Sequence, residues 1–245
     1  MTGTDLKSAR LSANWSQYQA ASRLGLTQAY LSMVEQGHRP VTSRLAVRAM
    51  KIFDLPPTAL PIQPDEFSTW NECDLKSDLG ALGYPGFAYP GTRPARNPAE
   101  LLYHALDQPD LDTRIVEALP WLASVYTDMD WDWLTRQAKL NDRQNRLGFV
   151  VSLAGELAKK AGDSVRAKTL AEQRALLDRS RLVREDTLCH DSMPLSERKW
   201  LQKSRPPEAR YWNLLTDLDV KHLLQVSARV GGFVITMHYG RPAKR

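Results

Sequence analysis

Proline placement divides this chain before any other feature does. Eight of its fifteen prolines (Pro56, Pro57, Pro61, Pro64, Pro85, Pro90, Pro94 and Pro98) fall between residues 56 and 98, with Gly80, Gly83, Gly86 and Gly91 among them. The stretch GYPGFAYPGTRPARNP cannot form a regular helix, because proline lacks the backbone donor and glycine loses the most entropy on ordering. It also carries Tyr84, Phe87 and Tyr89, so the expectation is an ordered connector packed along a domain surface. The chain then reads as an N-terminal unit over 1–62, a Pro/Gly-rich connector over 63–98 and a larger unit over 99–245.

Helical periodicity dominates beyond the connector. Asn97-Pro98 pairs a capping residue with proline at the first helical position, and Leu101, Leu102, Ala105 and Leu106 then share one face. A second helix is expected from about Leu111, with Pro120 kinking it or starting the next. After Asp142, the residues Leu147, Val150, Val151, Ala154, Leu157 and Ala158 recur at three and four. Lys159 and Lys160, followed by Gly162, suit the end of that helix. Further helices are expected over 164–178 and between 195 and 227. Only GFVITMH, 232–238, reads as a strand.

Charge is uneven. Residues 1–60 carry a net +4, 61–130 a net −8 and 131–245 a net +9, within a total of +5. Either these are separate surfaces with separate partners, or they are ordinary solvated faces. Cys73 and Cys189 match no metal or redox spacing, which points to a reducing compartment. The opening MTGTDLKSARLSANWSQ has no apolar core segment, and no window approaches a membrane span. A cytoplasmic protein without membrane contact is the expectation.

The informative part is QYQAASRLGLTQAYLSMVEQG, Gln17 to Gly37. A helix fits 17–24 and a second fits 28–36, with Gly25-Leu26-Thr27 between them. Ala21 is small where two helices must cross, Gly25 suits a positive φ, and Thr27 can cap the second helix through its hydroxyl. Leu24, Leu26, Leu31 and Val34 are apolar where the partner helix and core would lie. Together these make a helix-turn-helix pattern.

At about 100° per residue, Leu31 and Val34 point inward, while Gln28, Ala29, Ser32 and Met33 share the opposite face. That face is uncharged. Glutamine can offer adenine a donor and an acceptor together, and alanine or methionine can touch a thymine methyl. Such chemistry reads bases, while Arg23, Arg39, Arg44, Arg48 and Lys51 around it could attract phosphates.

Residues 4–60 resemble the Cro/C1-type (xenobiotic-response-element) helix-turn-helix family. The resemblance is carried by LKSAR, SQYQAASRLGLTQAYLSMVEQG and TSRLAVRAMKIFDLPPTALP. It implies a five-helix, lambda-repressor-like bundle completed by Leu45, Ala46, Ala49, Met50 and Phe53. It implies base reading by Gln28, Ala29, Ser32 and Met33. Contacts to the duplex backbone then fall to Gln17, Thr27, Gln36, Arg39 and Arg44. Glu35 and Gly37 match the family's recurrent Glu-x-Gly at the end of the recognition helix.

The larger unit is similar to the C-terminal part of AbiE-type abortive-infection antitoxins. The residues behind this are the Trp-Asp-Trp run at 131–133, Arg146-Leu147-Gly148 and Arg210-Tyr211-Trp212-Asn213. Those antitoxins carry an N-terminal winged helix, from which this chain departs. The resemblance implies an autorepressor partnered by a toxin protein.

Catalytic readings find little support in the residues. A self-cleaving repressor would need a Ser-Lys pair in a β-rich domain, whereas the sequence after Ala161-Gly162 is helical. No histidine stands in HExxH. Adjacent Cys189, His190 and Asp191 would not converge as a nucleophile and its base. Asp128, Asp130 and Asp132 at spacing two suit a helix N-cap better than a metal, and no cofactor is called for. Seven tryptophans could build core or line a ligand pocket. The expectation is a mainly α, non-catalytic, DNA-binding regulator. It would be a homodimer on a double-stranded operator, with a toxin protein as a second partner; the alternatives are a stand-alone ligand-sensing repressor and a helix-turn-helix fused to an uncharacterised catalytic domain.

Overall fold

The computed structural model describes residues 1–62, 70–87 and 96–229, and these are mainly helical. The N-terminal unit holds α1 (Gly3–Ser12), α2 (Gln17–Leu24), α3 (Gln28–Glu35) and α4 (Ser43–Phe53). Each start is written in a hydroxyl. Thr2 and Ser16 form capping boxes with Asp5 and Gln19, while Thr27 and Thr42 accept from the amides of Tyr30 and Leu45. The helices close over Leu6, Ala20, Ala21, Leu24, Leu31, Val34, Leu45 and Ala49, with Trp15, Leu26 and Phe53 packed on the margin.

The fifth helical element is shorter than the resemblance implied. It is a single 3₁₀ turn, Pro57–Ala59, closed by Leu60 N donating to Pro57 O at 3.1 Å. Continuing the turn as an α-helix would need the residue 61 amide on the Pro57 carbonyl, and Pro61 has no amide hydrogen.

The segment read as a connector contains a helix, α5 (Glu72–Ala81), capped by the Asn71 side chain accepting from Asp74 N. Its Leu75 and Leu79, with Trp70, Leu82, Tyr84 and Phe87, are part of the larger unit's core. Residues 70–87 therefore pack into the larger unit, not along its surface. The remaining proline-rich residues 63–69 and 88–95 lie outside the described residues.

The larger unit continues through α6 (Pro98–Asp107), α7 (Thr113–Val125, with Pro120 inside it), α8 (Trp131–Leu140), α9 (Gln144–Lys160) and α10 (Ser164–Asp178). Asn97, Asp112, Asp130 and Asp163 cap four of these through their side chains. Asp130 thus takes the capping role foreseen for the aspartate run. The central helix is α9, buried along most of its length, and α10 folds back on it after Gly162 at φ +75°. Then come α11 (Leu195–Ser204), α12 (Pro207–Tyr211) and α13 (Val220–Arg229). The β element is a two-residue parallel pair, β1 (Asp186–Thr187) on β2 (Leu214–Leu215), with Asp186 opposite Leu214. The strand expected at 232–238 lies outside the described residues.

Two features lock this core. Arg146 is fully buried and forks onto Asp186 at 2.9 and 3.1 Å, while Nη2 also donates to Asp191 at 2.9 Å. Its Nη1 donates to the carbonyls of Leu106 and Gln108. Burial works against its charge, yet the hydrogen bond to Asp186 and the facing charges hold its pKa above the ordinary value. Gly148 faces the Trp212 ring so closely that a Cβ would lie 2.3 Å from it. Trp212 Nε1 in turn donates to Ser152 Oγ at 2.9 Å. Arg146, Gly148 and Trp212, all prominent in the antitoxin resemblance, are therefore interior residues.

Among the described residues a polar clamp joins the two units. Asn97 uses its oxygen to cap α6 and its amide nitrogen to hold the carbonyls of Thr58 (3.2 Å) and Leu60 (2.7 Å). Thr58 Oγ1 donates to Asp128 at 2.7 Å, and Ile62 packs on the larger core.

Candidate nucleic-acid interface

The turn between α2 and α3 explains the residues that build it. Gly25 sits at φ +65°, a conformation L side chains avoid, and ends α2 with its amide on Ser22 O while Leu26 N reaches Ala21 O. Thr27 then starts α3. Leu31, Val34 and Glu35 are the buried residues of α3. Gln28, Ala29 and Met33 are exposed and Ser32 is half-buried, its hydroxyl accepting from Gln36 Nε2 at 3.4 Å. The four candidate base readers thus share one uncharged outer face.

A chain of hydrogen bonds runs from the core to that face. Arg10 grips Glu35 bidentately, Nε to Oε1 at 2.6 Å and Nη2 to Oε2 at 3.0 Å, and donates to the Trp15 carbonyl at 2.8 Å. Gln17 Nε2 donates to Glu35 Oε2 at 2.9 Å, and Gln17 Oε1 accepts from Gln28 Nε2 at 3.1 Å. Burial alone would raise the Glu35 pKa, but the hydrogen bonds from Arg10 and Gln17 and the Arg10 charge hold it below the ordinary value. The same bond raises the pKa of Arg10. Gln28 keeps its carboxamide oxygen and a second N–H for a base edge.

The cations divide into two groups. Arg39, Arg44 and Lys51 are exposed, with Arg44 on the first turn of α4 beside the notch under Gly25. Arg23 instead stacks on Trp15, 3.9 Å from the ring centroid, and Arg48 donates to the Leu24 carbonyl. Both serve the fold. Among the candidate backbone contacts, Thr27, Gln36, Arg39 and Arg44 are exposed and Gln17 is half-buried at the start of α2.

Three contributors were not foreseen. Arg10 supports the recognition helix from 25 positions away, and only the sign of its charge against Glu35 could have hinted at it. Gly3 packs against the end of α3, where a Cβ would fall 1.9 Å from the Val34 carbonyl oxygen. Tyr18, beside Gln17, is 77% exposed, and an aromatic so placed at a helix start could have been noticed.

The other sequence candidates take structural positions. Cys189 is buried, its Sγ 3.4 Å from the Ala105 carbonyl, and burial pushes the thiol pKa up to about 11. It stays protonated, and its neighbour His190 is exposed. No group of three metal-ligating side chains occurs among the described residues. Nor is any helix among them long and apolar enough to cross a membrane.

Residues 6–60, which are 55 of the 245, match the helix-turn-helix family model. No curated protein and no solved structure matches the chain.

Proposed function

We propose, from the premise that residues 6–60 form a Cro/C1-type helix-turn-helix domain of a DNA-binding transcription regulator, that the chain is a non-catalytic repressor. It would bind a palindromic operator as a homodimer and act on its own or a neighbouring operon. The observation that carries the sequence-specific part is the outer face of α3, uncharged and accessible, with Gln28 oriented through Gln17 by the buried Arg10–Glu35 pair. In this reading Gln28, Ala29, Ser32 and Met33 read bases in the major groove. Gln17, Thr27, Gln36, Arg39 and Arg44 hold the phosphates.

We assign dimerisation to the larger unit, because the N-terminal bundle consumes most of its apolar residues internally, Leu11, Tyr18 and Met33 excepted. Exposed Val165, Leu176, Val183, Leu195 and Trp200 give the larger unit apolar surface to offer. A toxin partner rests on the antitoxin resemblance alone, of whose residues Arg146, Gly148 and Trp212 are core while Arg210 and Tyr211 are exposed. Footprinting on the upstream region, with light scattering of the full chain and of a chain cut near Pro64, tests the proposal. A dimer protecting two half-sites, and a fragment that loses both properties, supports it. A full-length monomer at micromolar concentration refutes the dimeric part.

A further inference from the structure

The larger unit holds a cavity of about 200 Å³ between α7, the C-terminal end of α9 and α13. Its walls are mostly apolar, with Trp121, Leu157 and Leu223 prominent. Two charged side chains reach it, and they differ in setting. Glu117 is on α7 with its side chain only 11% exposed, whereas Lys160, at the end of α9, is exposed. A charge in water is screened, while one held against apolar walls is not. The buried carboxylate therefore governs the polarity of this cavity.

His222 of α13 lies with Nε2 2.6 Å from Glu117 Oε1, so α13 meets α7 at this carboxylate. Tyr84 also lines the cavity, its ring 5.2 Å from that of Trp121 at 60°. Burial, with the Glu117 charge second, raises the Tyr84 hydroxyl to about 12, so the phenol stays neutral beside the carboxylate. A largely desolvated carboxylate set among apolar walls and two aromatic side chains makes a surface that favours cations: the carboxylate neutralises positive charge and the apolar walls take up an organic body.

We infer that this cavity binds a small organic cation, its charged nitrogen against Glu117 and its apolar body on Trp121, Leu157 and Leu223. The volume suits a single-ring amine or quaternary ammonium rather than a large drug. Because α13 contributes both His222 and Leu223, occupancy would tie that helix down against α7. The binding itself does not depend on the DNA-binding reading, and a failure of one leaves the other standing.

Isothermal titration of the full chain with benzyltrimethylammonium, and separately with 3-phenylpropanoate at equal ionic strength, tests the assignment. The cation should bind one to one, with Kd tighter than about 1 mM, and the anion should bind at least about tenfold more weakly. Glu117→Gln should lose about tenfold or more for the cation, while Lys160→Ala and His222→Ala should not lose affinity. Leu157→Trp, which fills the space without changing charge, should abolish binding. No heat with the cation, equal affinity for the anion, or cation binding unchanged in both Glu117→Gln and Leu157→Trp would overturn the inference. If Glu117→Gln fails to fold, the cation–anion comparison and Leu157→Trp still decide.

Discussion

Gln17 and Gln28 stand at the starts of consecutive helices, and the carboxamide of the second donates to that of the first at 3.1 Å. Because Gln17 is itself held by Glu35, the side chain at the head of α3 is oriented before any duplex arrives. Preorganisation of this kind lowers the entropy lost on binding.

Gln28→Ala should weaken binding to the operator by about 1–3 kcal/mol and leave binding to random duplex almost unchanged. Fluorescence anisotropy with both duplexes measures the difference. Equal behaviour on the two would remove Gln28 from the reading set.

Arg44→Ala should act differently, since Arg44 is exposed on the first turn of α4. Affinity should fall on all sequences alike, and the slope of log K against log salt should flatten by about one. A loss confined to the operator would make Arg44 a base reader instead.

The Arg10–Glu35 pair should dominate the stability of the N-terminal unit. Arg10→Met leaves a carboxylate that is 1% exposed without its counter-charge, at a cost of roughly 3–5 kcal/mol, and Arg10→Met with Glu35→Leu should recover most of it. Urea melts of the three chains measure this. The pH dependence follows from the folded-state pKa of Glu35 lying below its ordinary 4.5. The unfolded chain binds the proton more readily, so this stabilisation is complete above 4.5 and is lost as pH falls through the lower folded value. The double variant should lack that acid-sensitive component.

Two glycines on α9 should respond to alanine with opposite sign. Alanine is worth up to about 1 kcal/mol over glycine inside a helix. At Gly155 the added Cβ meets only the Leu170 Cβ, at 3.7 Å, so Gly155→Ala should raise Tm. At Gly148 it would fall 2.3 Å from the Trp212 ring, so Gly148→Ala should destabilise despite the better helix former, by about 1–3 kcal/mol of overpacking.

What could be read from the sequence was local. The bounds of α2 and α10, the start of α6, the turn at Gly25 and the caps at Thr27 and Asn97 depend on neighbours within four positions, and the residues declare them. The long-range partners were hidden. Arg10 with Glu35, and Arg146 with Asp186 and Asp191, join residues whose spacing carries no signal. Arg23 and Arg48 looked like phosphate contacts because a formal charge says nothing of a nearby ring or carbonyl. The helix α5 escaped because Asp74, Ser77, Asp78 and Gly80 dilute its apolar stripe and prolines surround it.

Asn97 has a consequence for the duplex rather than for the protein. By holding both Thr58 and Leu60 while it caps α6, it denies the reading head a free swivel. In a dimer joined through the larger units, the two heads would then meet DNA at one angular phase only. Inserting five base pairs between half-sites turns the second site to the far side of the double helix, and inserting ten restores the side but not the span. A tethered head would forgive either change; this one should forgive neither while Asn97, with the Thr58–Asp128 bond and Ile62 beside it, holds the junction.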